Sequence, residues 1–335
     1  MLPVQKRGTT GPERSKSDGA QRQSDPPQAP PKLYGSKILL METLLAVMSH
    51  KTRRIWKRVG IGLLAMLLLI LGGILLAMKT VHFRYSDDQF RQLVMEAGFP
   101  ADLEYGSVGN QKIRKVIVPS TTRRTVVFLH GAPGSGKDFE QYLTDSLLAK
   151  AATLITLDRP GYGYSNYGEP ILDMQEQAQL IAQVIPDSSL LVAHSYGGPI
   201  AAALAMCCPE KAAGLLLLAP AIDPYHEKEF AFNNWLRRPP LRWFTSGAIK
   251  VAIAEKITHA RELERLMDDW QQITCPVTIM HGQNDWIVPD DNVAFLERMV
   301  TNAPLEIIHP RELNHTMIWD EFDLVRDQIL RQLGQ

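Results

Sequence analysis

The sequence predicts an α/β protein built on a doubly wound, mostly parallel, eight-stranded sheet and preceded by one transmembrane helix. Three observations indicate this arrangement. Eight short segments after residue 102 have the apolar or alternating pattern of β-strands, helical segments separate most of them, and a twenty-residue run without charge precedes them all. The later strand candidates are apolar throughout, which is expected of parallel strands that are buried on both faces. Regular alternation of strands and helices is typical of a doubly wound sheet.

Residues 59–78 are the predicted transmembrane helix. The run VGIGLLAMLLLILGGILLAM contains no charged residue. At 1.5 Å per residue a helix of this length spans about 30 Å, the thickness of the hydrocarbon core of a bilayer. A signal peptide has a shorter apolar region of roughly 7–15 residues, and the exit Leu-Ala-Met-Lys-Thr is a poor cleavage site. We therefore expect an uncleaved anchor.

The chain before this helix is basic. Residues 1–58 contain 12 Lys and Arg against 4 Asp and Glu, and residues 1–36 are rich in Pro and polar residues. This composition predicts a disordered tail, with Met41 or Met48 as alternative starts of translation. Because basic residues flank the cytoplasmic ends of membrane helices, we expect the tail in the cytoplasm. The rest of the chain is then extracytoplasmic, which means periplasmic in a bacterium.

Composition excludes several classes of function. The chain has 335 residues, and its 36 basic side chains balance 36 acidic ones, whereas a dedicated nucleic-acid binder usually has a basic excess. Three cysteines without a CxxC pair predict neither a disulfide framework nor a zinc site. We therefore expect no nucleic-acid partner, no metal and no cofactor, and nothing in the sequence indicates an oligomeric state.

Residues 79–102 are predicted to be a linker with one short helix. Ser86 and Gln89 have the spacing of a capping box, and Pro100 limits the helix that they begin. Beyond the linker we expect strands at 103–108, 112–118, 125–129, 152–157, 189–194, 213–218, 276–281 and 304–309. Helices are expected at 138–149, 171–185 and 199–208.

The segment after the third predicted strand is close to a phosphate-binding P-loop. Gly131 is followed after four residues by Gly136 and Lys137, but Asp138 stands where a Ser or Thr would ligate Mg²⁺. The alternative from another class of function is therefore a nucleotide hydrolase that binds phosphate through Gly131–Lys137.

The fifth predicted strand ends in a serine and a glycine-rich turn into a helix. This is the context of a nucleophilic serine, where small residues must flank the serine at a distance of two positions. Ala193 and Gly197 meet that requirement around Ser195. We expect His194 to point away from the pocket and to have a structural role.

An acid and a histidine follow the last two strands, as Asp285 and His315. The chain order Ser–Asp–His is one of those that serine nucleophiles use. A serine hydroxyl is a weak nucleophile, so a histidine must take its proton and a carboxylate must orient that histidine. His130 and His281, which lie beside glycines at strand ends, are expected to support the pocket.

Residues 103–335 resemble the α/β-hydrolase fold family, through the motifs HGAPG, DRPGYGYS, AHSYGG, HGQND and NH. The resemblance implies that Ser195 is the nucleophile, Asp285 the orienting acid and His315 the general base. It also implies that the backbone N–H groups of Ala132 and Tyr196 form the oxyanion hole. A serine nucleophile distinguishes the chain from members of this fold that use a carboxylate.

Residues 222–271 interrupt the strand pattern, at the position where this family carries a lid. The segment is rich in aromatic residues, and we expect a small helical lid whose Trp235, Trp243 and Phe244 contact substrate. The predicted function is a membrane-anchored serine hydrolase that cleaves a carboxylic ester of a small molecule or a lipid. An aminopeptidase similar to the proline iminopeptidases is the alternative within this fold, since HGAPG resembles the loop of those enzymes.

Overall fold

The structure is a computed structural model, and it describes residues 50–228, 235–239 and 241–334. Most of the predicted tail, up to residue 49, and both alternative starts lie outside the described residues. The chain divides into two units, Met1–Leu67 and Leu68–Gln335. The sheet and the site described below belong to the second unit.

The first described helix, α1, spans His50–Thr80. Within it, Thr52–Ala77 is long and apolar enough to cross a membrane. The helix begins before residue 59, the first residue of the predicted span 59–78. Lys and Arg residues before Val59 favour helix, and no Gly or Pro occurs between His50 and Val59.

The predicted capping box is confirmed at the start of α2, Asp87–Glu96. The Ser86 hydroxyl accepts a hydrogen bond from the Gln89 N–H, and the Gln89 side chain accepts one from the Ser86 N–H. Phe90 and Val94 point from this helix into the core.

The predicted sheet of eight strands is confirmed. In sheet order the strands are β1-β2-β4-β3-β5-β6-β7-β8, and every pair is parallel except the two that involve β2. The observed bounds differ from the predicted ones by at most one residue at each end. They are β1 Asp102–Val108, β2 Gln111–Val118, β3 Thr125–Leu129, β4 Thr153–Leu157, β5 Ser189–His194, β6 Ala212–Leu218, β7 Val277–Met280 and β8 Leu305–Ile308.

Further α-helices cover the sheet, together with 3₁₀ turns at Gly136–Phe139, Pro209–Lys211, Leu241–Phe244 and Met267–Gln272. They are α3 Glu140–Leu143, α4 Ser146–Ala151, α5 Met174–Ala182, α6 Gly197–Cys207, α7 Gly247–Arg265, α8 Asp291–Met299, α9 Met317–Asp320 and α10 Phe322–Gln332.

The predicted helical segment at 138–149 is divided into several short helical turns. The chain there makes a 3₁₀ turn and then α3 and α4, because the Asp145 side chain accepts hydrogen bonds from the N–H groups of Leu147 and Leu148 and starts a new helix. The prediction of 171–185 was too long at its start for the same reason, since Asp173 caps α5.

Alternate residues of the central strands belong to different cores. Val127 and Leu129 pack with α5, α6 and α8 on one face of the sheet. Val126 and Phe128 pack with α2 and with α10 on the other face. Burial on both faces explains why these strands are apolar throughout.

The strand order reverses at β3, which lies between β4 and β5. Sites of doubly wound sheets form at such a switch point, outside the carboxyl ends of the strands. The loop after β3 and the turn after β5 therefore meet at this edge, and the loops after β7 and β8 end at the same edge.

Candidate active site

Ser195 occupies a sharp turn between β5 and α6. Its φ of 53° lies in the left-handed region, which non-glycine residues rarely adopt. A Cβ atom on Gly197 would lie 2.4 Å from the Leu129 carbonyl oxygen, so only glycine fits at this position. The turn is held by a hydrogen bond of 3.0 Å from the Ser195 N–H to the Leu218 carbonyl of β6. Strain of this kind is typical of functional positions.

The structure brings Asp285 and His315 together. His315 Nδ1 lies 2.8 Å from Asp285 Oδ2, and the other carboxylate oxygen accepts hydrogen bonds from the N–H groups of Ile287 and Val288. Burial raises the pKa of Asp285, but the hydrogen bond from His315 and those from the two N–H groups outweigh it and hold the pKa below its ordinary value. Asp285 is therefore a carboxylate that orients the imidazole.

His194 lies against His315 and is not among the described residues that line the cavity at Ser195. His194 Nε2 lies 2.9 Å from the main-chain oxygen of His315, and the two ring centroids are 4.9 Å apart. Burial, with His315 nearby, lowers the pKa of His194 to about 3, so the ring is neutral. Because a carbonyl oxygen only accepts, Nε2 carries the proton and donates it.

The loop after β3 places Ala132 beside the serine. Ala132, Ser195 and Tyr196 line one cavity. A Cβ atom on Gly131 would lie only 3.1 Å from Ser195 Cβ, so this loop packs directly on the turn that carries the serine. The arrangement brings the two predicted oxyanion-hole residues to the same cavity as Ser195.

His130 and His281 support the site. His130 Nδ1 donates to the Gly131 carbonyl at 2.7 Å, and its Nε2 accepts from the Arg159 N–H at 2.9 Å. Burial is the main cause that keeps the pKa of His130 well below its ordinary value. His281 Nε2 lies 3.2 Å from the carbonyl oxygen of Val288, in the loop that carries Asp285. Both histidines fix loop conformations.

The N–H groups of the P-loop-like segment are engaged by side chains. Ser135 N–H donates to Asp138, Gly136 N–H donates to Asp158, and Lys137 N–H donates to the Ser135 hydroxyl. A phosphate cradle needs such N–H groups free and no carboxylate beside them. The segment therefore does not form the cradle that the nucleotide-hydrolase alternative requires.

A buried ion pair connects the loop after β4 with α7. The Arg159 guanidinium donates to both Glu255 oxygens at 2.8 and 3.2 Å, and the Tyr162 hydroxyl donates to Glu255 at 2.6 Å. Arg159 also donates to the main-chain oxygens of His130 and Gly131. One side chain thus fixes α7 relative to the loop that carries Ala132.

The cavity at Ser195 has a volume of about 390 Å³ and mostly apolar walls. Helix α7 supplies Ile249, Ala252, Ile253 and Lys256, a spacing of one helical face. Such a cavity has the size of a site for a small organic ligand.

The predicted substrate contacts Trp235, Trp243 and Phe244 are not among the residues that line this cavity. Trp235 is 70% exposed and Trp243 66% exposed, so both face outward. The aromatic composition of residues 222–271 singled out this segment, but it did not show which side chains of the segment face the cavity. The i, i+3, i+4, i+7 spacing on α7 was the signal that could have found the apolar wall.

One end of the cavity is charged. Glu227, Lys256 and His259 line it, with Lys256 Nζ bonded to Glu227 Oε2 and His259 Nδ1 3.0 Å from the same oxygen. Burial raises the pKa of Glu227, but His259 and Lys256 outweigh it and lower the pKa to about 2.

Comparisons with known proteins identify the family of this chain. A profile of the alpha/beta hydrolase family matches residues 126–326. The pimeloyl-[acyl-carrier protein] methyl ester esterase of Sodalis glossinidius (strain morsitans) is 35% identical over 216 residues, which are 54% of this chain and 83% of that protein. The dihydrolipoyllysine-residue acetyltransferase component of the acetoin cleaving system of Cupriavidus necator is 32% identical over 101 residues, 29% of this chain. The match spans only 26% of the length of that relative.

Among solved structures, a membrane phospholipase A described as a bacterial virulence factor has the same fold. It superposes with a TM-score of 0.56 and 19% identity, over 83% of this chain and 98% of that chain.

Proposed function

The chain belongs to the alpha/beta hydrolase family, and we propose that it is a membrane-anchored serine hydrolase that cleaves carboxylic esters through an acyl-enzyme on Ser195. One observation carries the proposal. A carboxylate-oriented imidazole, Asp285–His315, lies at the same sheet edge as a serine in a strained strand-to-helix turn. These are the groups that activation of a hydroxyl nucleophile requires.

In the proposed reaction Ser195 attacks the ester carbonyl while His315 Nε2 takes the hydroxyl proton. Asp285 stabilises the resulting imidazolium through the 2.8 Å contact with Nδ1. His315 then protonates the leaving alkoxide, and the ester bond breaks to leave an acyl-enzyme. Water, deprotonated by His315, attacks the acyl group and releases the acid and free Ser195.

The oxyanion of each tetrahedral intermediate is assigned to the N–H groups of Ala132 and Tyr196. Tyr196 precedes the first residue of α6, so its N–H belongs to a helix N-terminus, where donors are free and the helix dipole favours negative charge. Each such donor is typically worth about 3 kcal/mol in the transition state.

An ester fits the cavity better than an amino-acyl amide does. An aminopeptidase needs a carboxylate to hold the substrate ammonium group. Glu227 is the one carboxylate among the described residues that line the cavity, and it is already paired with Lys256 and His259. The rest of the cavity wall is mainly apolar, and an apolar wall favours the binding of an acyl chain. The 35% identical relative is itself named as a methyl ester esterase.

We also propose that α1 anchors the enzyme, with the tail in the cytoplasm and the catalytic domain outside it. The length and apolar character of Thr52–Ala77 and the basic residues before it support this topology. A periplasm-dependent reporter fused after Gln335 should be active, and the same reporter should be silent if the domain faces the cytoplasm.

The activity is tested with full-length protein in detergent, using p-nitrophenyl esters and proline p-nitroanilide. We expect ester hydrolysis by the wild type and its loss in Ser195→Ala. Ser188→Ala is the matched control, because Ser188 lies just before the amino end of the same strand and has a similar φ of 54°. Hydrolysis of the anilide alone would favour the aminopeptidase, and equal ester rates in wild type and Ser195→Ala would contradict the proposal.

A further inference from the structure

The cavity wall includes a residue from outside the sheet and the lid. Phe83 lines the cavity together with Ala132, Pro133 and Ser195. It belongs to the segment Val81–Tyr85, which joins α1 to α2 and which we call the juxtamembrane segment. Nothing in the local sequence around Phe83 indicates this contact.

Hydrogen bonds hold the juxtamembrane segment against the catalytic domain. The Ser135 hydroxyl, in the loop after β3, donates to the Phe83 main-chain oxygen. Phe83 has a φ of 52°, in the left-handed region that bulky residues rarely adopt. Such a conformation persists only where the surroundings impose it.

The residues on both sides of Phe83 are fixed as well. The Arg84 guanidinium donates to the Gly163 carbonyl and lies over the rings of Tyr164 and Tyr167, at 4.3 and 4.4 Å from their centroids. His82 Nδ1 lies 3.0 Å from the Tyr167 hydroxyl. The Phe83 ring is therefore a positioned part of the cavity wall.

We infer that Phe83 selects substrates with a long acyl chain and that these are amphiphilic esters which reach the cavity from the bilayer. The inference rests on the proposed function and its membrane anchor. The apolar part of α1 ends at Ala77. Three helical and two extended residues lie between Ala77 and Phe83, so the two Cα atoms are at most about 15 Å apart. A cavity wall this close to the end of a membrane span lies beside the interface where amphiphilic esters are concentrated.

The composition of the wall agrees with such a substrate. Phe83 faces a cavity whose other apolar residues include Leu236, Ile249 and Ile253. A short acyl group held at Ser195 makes few contacts beyond the oxyanion loop. A long chain extends along the apolar wall and contacts the Phe83 ring.

The test uses full-length protein in detergent micelles, with p-nitrophenyl butyrate and p-nitrophenyl decanoate. We expect Phe83→Ala to lower kcat/KM for the decanoate about tenfold, chiefly through KM, while the butyrate changes less than about twofold. Phe83→Leu should restore most of the decanoate activity. Val81→Ala is the matched control, because Val81 is exposed in the same segment and is not part of the cavity wall. Phe83 is itself 37% exposed, so its substitution does not open the core.

Equal effects of Phe83→Ala on both esters, or no effect on either, would overturn the inference while leaving the proposed function intact, provided that Ser195→Ala abolishes both activities. Hydrolysis of neither ester by the wild type would contradict the proposed function, and the inference would fail with it.

Discussion

His194 Nε2 donates a hydrogen bond of 2.9 Å to the main-chain oxygen of His315, so the residue before the proposed nucleophile holds the proposed base. We predict that His194→Ala lowers kcat about 100-fold with little change in KM, because a displacement of the base by about 1 Å has an effect of this size. His194→Gln, which keeps a donor, should recover part of the loss. Steady-state kinetics over a pH range measure this. A rise in KM with unchanged kcat would show that His194 does not position the base.

The Asp285–His315 contact gives a second prediction. Asp285→Asn should lower kcat by about four orders of magnitude, because an amide neither fixes the imidazole tautomer nor stabilises its charge. Asp290→Asn is a suitable control, since Asp290 lies five residues after Asp285, just before α8, whereas the partner of His315 Nδ1 is Asp285. A loss of less than about tenfold for Asp285→Asn would assign the orienting role elsewhere.

The buried pair Arg159–Glu255 is expected to matter for folding more than for chemistry. Both side chains are fully buried, so Glu255→Ala leaves an uncompensated charge and should lower the free energy of unfolding by about 3–5 kcal/mol. The double variant Arg159→Met/Glu255→Leu should be less destabilised than Glu255→Ala. Denaturant titration followed by circular dichroism measures both. A double variant that is less stable than the single one would contradict this account.

The lowered pKa of Glu227 predicts how the free energy of unfolding changes in acid. Its pKa is about 2 in the folded protein, against an ordinary value of 4.5, so its contribution to stability is complete above about pH 4.5. It is lost as the pH falls from there towards 2. The free energy of unfolding should therefore fall more steeply between pH 5 and 3 in the wild type than in Glu227→Gln. Parallel slopes for the two proteins would be inconsistent with a depressed pKa.

The sequence predicted the parts of the site that follow from sheet topology. Ser195, Asp285 and His315 each follow an apolar strand, and the carboxyl ends of parallel strands share one edge. The sequence did not predict which residues form the cavity wall. Trp235 and Trp243 face outward, and the side that a residue of this segment faces depends on tertiary packing rather than on composition.

Two further features depend on contacts between distant residues. The bond from His194 to His315 and the contact of Phe83 with the cavity form only when separate loops meet. The positions where helices begin within these segments were closer to being predictable, because Asp145 and Asp173 are favoured N-cap residues within the predicted helical segments.

An activated Ser195 should react with a reagent that modifies nucleophilic serines. The most direct measurement is labelling of the folded full-length protein with a fluorophosphonate, followed by mass spectrometry of the modified peptide. We expect one adduct, on Ser195. It should be absent in Ser195→Ala, retained in Ser188→Ala and formed much more slowly in His315→Ala. A folded wild type that resists the probe, or an adduct on another serine, would contradict this expectation.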